Sequence, residues 1–156
     1  MIYFAYGADL NPSRMSEQSP EYRTIGGARL RDWWIAFLRY APAERSATAS
    51  IVLQPGQTVW GALYEVPDWD IPILDSIHGF APDGPPNLNQ HLRREVEVER
   101  LGRPQPIVAQ TYFAVPDERD SLPSAAYMML IVDGARYHGL PRAYIGALQA
   151  MRTAPD

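Results

Sequence analysis

Residues 2 to 10 constrain this chain more than any other stretch. Ile2 to Tyr6 is an unbroken apolar and aromatic run, which reads as a buried strand. Gly7 breaks it, and Asn11-Pro12 starts a polar turn. A strand that stops at a glycine exposes several backbone N–H groups at its C-terminal end, a nest suited to a carboxylate or carbonyl oxygen. The same residues also describe a first core strand followed by a tight turn. They predict the strand and leave its chemistry open.

The rest of the chain reads as strands, a short helix, strands, then helices. Asn11-Pro12 gives a helix start, with a capping side chain and Pro at the first helical position. Arg23 to Arg31 and Trp33 to Tyr40 read as two strands. Ala47 to Leu53 and Thr58 to Val66 read as a hairpin across Gln54-Pro55-Gly56-Gln57. Pro67-Asp68 opens a helix through Ile77, closed by His78-Gly79. The Pro-, Gly- and Asn-rich stretch from Ala81 to Gln90 is the longest loop. Glu95/Glu97/Glu99 alternate with Val96/Val98 in a half-buried strand, Leu92 to Leu101, whose partner is Ile107 to Val115. Ser124 caps a helix with Tyr127, Leu130, Ile131, Gly134 and Ala135 on one face, and Gly139-Leu140-Pro141 separates it from a last helix, Arg142 to Met151. This order predicts an α+β fold with a mostly antiparallel, closed sheet.

Composition narrows the chemistry. The sequence has no cysteine, which excludes disulfides, thiolate nucleophiles and cysteine zinc sites. All 14 basic residues are arginine, so Schiff-base lysines and P-loop lysines are absent. The candidate catalysts are carboxylates, backbone amides, hydroxyls and three histidines, His78, His91 and His138. A net charge of −4 argues against a nucleic-acid partner. No segment is long and apolar enough to span a membrane, and Met1-Ile2-Tyr3 runs into a strand without a basic leader, so no membrane partner and a cytoplasmic location are expected. With 156 residues and no repeat or composition shift, one domain over residues 1–156 is expected.

Four segments together resemble the γ-glutamylcyclotransferase-like family, which includes the AIG2-like proteins. Its Tyr-Gly-Ser-Asn-Leu loop is matched by Tyr6-Gly7-Ala8-Asp9-Leu10, with Arg14 following in a short helix. Its Val-Trp-Gly strand is matched by Val59-Trp60-Gly61. Its Leu-Asp-x-x-Glu-Gly helix end is matched by Leu74-Asp75-Ser76-Ile77-His78-Gly79. Its C-terminal helices are matched by Ser124, Tyr127, Gly134-Ala135 and His138-Gly139-Leu140-Pro141. The resemblance covers nearly the whole chain and implies a small mixed, mostly antiparallel β-barrel flanked by helices. It also implies an amide-cleaving cyclotransferase. In the family's reaction, the α-amine of a γ-glutamyl group attacks its own γ-carbonyl, giving 5-oxoproline and a released amine. No cofactor or metal is implied, since proximity does much of the work.

The departures lie in the chemical positions. The family's acid/base glutamate is His78, its Ser-Asn is Ala8-Asp9, and an aromatic residue before a strand arginine is replaced by His91-Leu92-Arg93. The resemblance implies His78 as the catalytic residue, with Tyr6, Gly7, Ala8, Asp9, Leu10 and Tyr127 binding a small γ-glutamyl-type ligand. Each also has a plainer reading. His78 ends a helix, where a cationic imidazole is favoured by the dipole. Asp75 pairs with an arginine or orients His78 one turn on. Asp9 is a turn residue, or a negative charge awkward for a ligand carboxylate and comfortable for an ammonium. Arg14 binds a carboxylate or pairs on the helix surface. Tyr127 lends its hydroxyl to the pocket or packs in the core. At the level of the whole chain, the alternatives are a silent binding protein on the same fold, or decarboxylation or other C–N cleavage using His78.

Overall fold

The computed structural model describes residues 1–155. It contains five strands, β1 (Ile2–Ala5), β2 (Arg23–Ala41), β3 (Ser46–Glu65), β4 (His91–Arg100) and β5 (Arg103–Ala114). The helices are α1 (Pro12–Gln18), α2 (Ile71–Ile77), α3 (Ala125–Tyr137) and α4 (Arg142–Gln149). The sheet curls into a small barrel in the order β1-β3-β2-β4-β5. Its seams are narrow. β1 meets β5 in parallel through Tyr3 and Gln110, and β2 meets β4 through Ala28–Arg100 and Arg29–Glu99. Every pairing except β1–β5 is antiparallel, so the α+β architecture is as expected.

The expected division of β2 and β3 is corrected. Each is one strand, of 19 and 20 residues, and the two pair along their length as a single bent ribbon. The hairpin turn falls at residues 42–45, not at Gln54-Pro55-Gly56-Gln57. That tetrapeptide bulges out between the Arg31–Thr58 and Trp33–Leu53 pairs, opposite Asp32. Asp32 takes a left-handed backbone, φ 68°, and its carboxylate accepts the Gly56 N–H at 3.0 Å. The break signals were real, but a bulge lets a strand bend without leaving its sheet. α4 also stops two residues short of Met151.

The predicted caps form. The Asn11 side chain accepts the Ser13 N–H at 3.1 Å, and the Ser124 hydroxyl accepts the Tyr127 N–H at 3.0 Å. α3 buries Tyr127, Ile131, Gly134 and Ala135. A methyl group at Gly134 would run into the backbone of Leu10, so α3 lies directly against the turn that follows β1. Phe4, Leu10, Met15, Leu63, Tyr64, Leu74, Ile131 and Leu148 are among the fully buried side chains that join barrel and helices in one core. This packing fixes the loop after β1 from behind. Among the described residues, no helix is long and apolar enough to cross a membrane.

Candidate functional site

A cavity of about 400 Å³ lies beside the loop that ends β1. Gly7, Ala8 and Asp9 form one wall, and Arg14 and Gln18 of α1, His78, His91, Tyr112 and Tyr127 form others. Asp9 lies in a short 3-10 turn, Ala8–Leu10. Among the described residues, no hydrogen bond within the chain engages the N–H groups of Gly7, Ala8 or Asp9. The loop therefore retains donor capacity.

His78 is held by local geometry. Beyond α2, the Gly79 N–H donates to the Ser76 carbonyl at 3.0 Å and the Phe80 N–H to the Asp75 carbonyl at 2.8 Å. Gly79 is left-handed, φ 65°, which is the glycine-dependent helix stop of a Schellman motif. His78 is the residue just before that glycine. Its Nδ1 lies 2.8 Å from the Leu74 carbonyl oxygen, which can only accept. Nδ1 therefore carries a proton, and Nε2 faces the cavity and Asp9. The ring stacks on Tyr112, centroids 3.8 Å apart and planes within 1° of parallel. His138 ends α3 in the same way before Gly139, and its Nε2 lies 3.1 Å from the Leu10 carbonyl. One histidine thus meets the front of the β1 loop and the other its back.

Asp9 is the hub of the cavity floor. Its Oδ2 accepts the Tyr3 hydroxyl at 2.6 Å and lies 3.5 Å from His78 Nε2. Its Oδ1 accepts the Gln18 amide at 2.6 Å. Burial and the Asp9 carboxylate hold the Tyr3 phenol far above its ordinary pKa, so Tyr3 remains a donor. Behind His78, Asp75 accepts the Tyr112 hydroxyl at 2.6 Å and a two-pronged Arg93 guanidinium at 2.9 and 3.2 Å. Asp75 does not touch the His78 ring. It fixes Tyr112, the platform under it.

His91 Nδ1 donates to the His78 carbonyl at 2.8 Å. Burial, then the neighbouring His78, push its pKa down to about 4. The sign of the linkage follows from that depression. The folded chain resists a proton that the unfolded chain accepts, so this contribution is complete above the unfolded value near 6.5 and is lost as pH falls toward 4. At its limit the loss is about 3 kcal/mol. Urea midpoints of wild type and His91→Gln, compared from pH 7 to pH 4.5, are expected to converge on acidification. Parallel curves would show that His91 carries no proton-linked stability.

The expected site residues largely converge. Tyr6, Gly7, Ala8, Asp9, His78 and Tyr127 all line the cavity. Tyr127 meets both of its readings: it is buried, and its hydroxyl accepts the Ala49 N–H at 3.0 Å, leaving its own hydrogen to donate. The Tyr6 hydroxyl donates to the Tyr112 carbonyl. Leu10 is the exception. It is fully buried against α3 and is not among the lining residues. Arg14 is paired, with the Glu44 carboxylate across its fork. The sequence reading did not single out Tyr3, Gln18, Glu44 or Tyr112. Only Gln18 carried a local signal, lying one turn from Arg14 on the same face of α1. Among the described residues, no three His, Asp or Glu side chains gather as metal ligands would.

Residues 58–148, more than half of the chain, match the model of the AIG2-like family. The chain belongs to the AIG2-like family. The human gamma-glutamylcyclotransferase is similar at 27% identity over 154 residues, which is 96% of this chain and 78% of the relative. The mouse gamma-glutamylcyclotransferase is 26% identical over the same coverage. A gamma-glutamyl cyclotransferase structure superposes with TM-score 0.89 at 26% identity, covering 100% of this chain and 90% of the other. A human protein described as uncharacterized superposes with TM-score 0.88 at 25% identity, covering 99% and 89%. This AIG2-like chain thus has the γ-glutamylcyclotransferase-like fold, with the His78 imidazole at the cavity wall.

Proposed function

We propose that this AIG2-like protein is a cyclotransferase that releases an amine from a small γ-glutamyl compound and forms 5-oxoproline. The observation that carries the reading is His78 Nε2, which faces the cavity 3.5 Å from Asp9 on a ring fixed by Leu74 and Tyr112. A proton carrier held that way can serve the amine and then the leaving nitrogen. The α-amine attacks the γ-carbonyl carbon, a C–N bond forms, and the bond to the departing amine breaks. The two protons that the α-ammonium gives up end on the departing nitrogen, which leaves as an ammonium ion. No net proton is gained or lost. The free N–H groups of Gly7, Ala8 and Asp9 supply donors for a carboxylate or the oxyanion, and the Tyr127 hydroxyl supplies another. Cytoplasmic action on a soluble metabolite, by one domain over residues 1–156, belongs to the same proposal.

The test is 5-oxoproline release across a panel of γ-glutamyl amines and γ-glutamyl amino acids, glutathione included. Turnover of at least one compound, lost in His78→Ala, is expected. If no compound yields 5-oxoproline although several bind, the protein is a silent binder on this fold. If none binds or reacts, the γ-glutamyl reading falls.

A further inference from the structure

The charged groups in the cavity wall are already matched to one another. Among the described residues, Arg14 is the one arginine in the lining, and the two oxygens of Glu44 hold its fork at 2.5 and 2.7 Å. Glu44 lies in the turn between β2 and β3, so this pair ties the turn to α1. As a unit the pair is neutral, and the guanidinium no longer draws a second carboxylate. His91 is neutral at ordinary pH, because burial pushes its pKa down to about 4. His78 has the Asp9 carboxylate 3.5 Å from Nε2, so a proton gained there is set against that charge. In either protonation state of His78, the described lining presents no unpaired cation.

The rim of the cavity is largely apolar. Pro42, Ala43, Ile77 and Gln90 are its exposed lining residues, whereas Tyr6, Ala49, Thr111 and Tyr127 are buried deeper in. Ile77 is 58% exposed, and Ile73, one turn back on α2, is 45% exposed. If His78 serves both nitrogens of a γ-glutamyl amide, the glutamyl group occupies the deep part and the substituent on the departing nitrogen extends past this rim. An apolar substituent there buries surface against Ile77 and Pro42. A carboxylate there loses water, meets the like charge of Glu44 and finds no free cation. We propose that the amine released by this protein is an alkyl or arylalkyl amine without a carboxylate, not an amino acid. Glu44, by holding Arg14, is the specificity-determining residue. The bond that breaks joins the γ-carbonyl carbon to the alkyl-bearing nitrogen, which takes the two protons of the α-ammonium and departs as an alkylammonium ion. The inference rests on the γ-glutamyl reading for the reaction, while the discrimination at the rim is a claim about binding.

The experiment compares γ-L-glutamyl-n-butylamide with γ-L-glutamyl-L-norvaline, the same amide carrying one added carboxylate, by 5-oxoproline release and by calorimetric titration. Wild type is expected to favour the butylamide at least about 10-fold in affinity and in kcat/KM. Glu44→Gln keeps the shape of the side chain and removes its charge, leaving that of Arg14 unopposed. It is expected to narrow the ratio to within about 3-fold, and adding Arg14→Gln is expected to restore the wild-type ratio. A role in folding alone would lower both compounds together and leave the ratio unmoved. Ile77→Arg brings a cation to the rim at an exposed position, away from the turn, and is expected to narrow the ratio even if Glu44→Gln does not fold. Equal affinity and equal turnover of the two compounds by wild type overturn the proposal. A folded Glu44→Gln with the wild-type ratio overturns the role of Glu44. Equal 5-oxoproline release from both compounds leaves the cyclotransferase reading standing and removes the selection. Tighter binding of the butylamide with no release from either leaves the selection standing and removes the cyclotransferase reading. If wild type binds neither, both fall.

Discussion

His78→Ala is expected to lose about 10²–10⁴-fold in 5-oxoproline release, the usual contribution of a positioned acid/base group. The loss should appear in kcat more than in KM, because proton transfer belongs to the transition state while the donors of the Gly7 loop remain. His78→Glu puts at the same helix end the carboxylate that the family resemblance implies there. It is expected to retain or increase turnover, and to move the acidic limb of the pH profile downward, since carboxylates titrate below imidazoles. A glutamate cannot donate to the Leu74 carbonyl while ionised, so its thermal midpoint must be measured beside its rate. If His78→Ala, folded, retains wild-type turnover on a productive substrate, His78 is a helix-capping residue only.

Asp75→Ala should have the largest effect on stability. Asp75 is buried, and its two oxygens serve both Arg93 and the Tyr112 hydroxyl. Removing it leaves a guanidinium and a buried phenol without their acceptor. Breaking a buried pair from one side costs about 3–5 kcal/mol. The Arg93 side chain is 22% exposed and also reaches Gln110, which points to the lower end, about 3 kcal/mol. For a chain of this size that is roughly 6–12 °C in Tm. Asp75→Asn keeps an acceptor for Tyr112 and should lose less. Because Tyr112 is the platform under His78, Asp75→Ala should also lower kcat at a temperature where it is folded. A Tm within a degree of wild type would show that the Arg93 pair is energetically neutral.

Much of the local structure was legible in the sequence because short-range rules produce it. The apolar run before Gly7, the Asn11 and Ser124 caps and the Glu/Val alternation of β4 each depend on residues within one or two turns of each other. So does the position of His78: a helix, a glycine in the left-handed region, and the residue between them follow from Leu74 to Phe80 alone. The resemblance of those motifs to a family placed most of the cavity wall as well.

What needed the tertiary structure was every partner that lies far along the chain. Asp9 meets Gln18 and His78, and Asp75 meets Arg93 and Tyr112, only once the barrel has closed and set the register of its strands. The continuity of β2 and β3 is decided at the same level. Pro55 and Gly56 give the same local signal in a turn and in a bulge, and only a paired strand with Asp32 opposite decides between them. Leu10 lies within the loop motif, yet it is a core residue because Gly134 lets α3 press against its backbone. Periodicity reports which face of an element is buried; which atoms it is buried against is decided by closure and packing between elements distant in sequence.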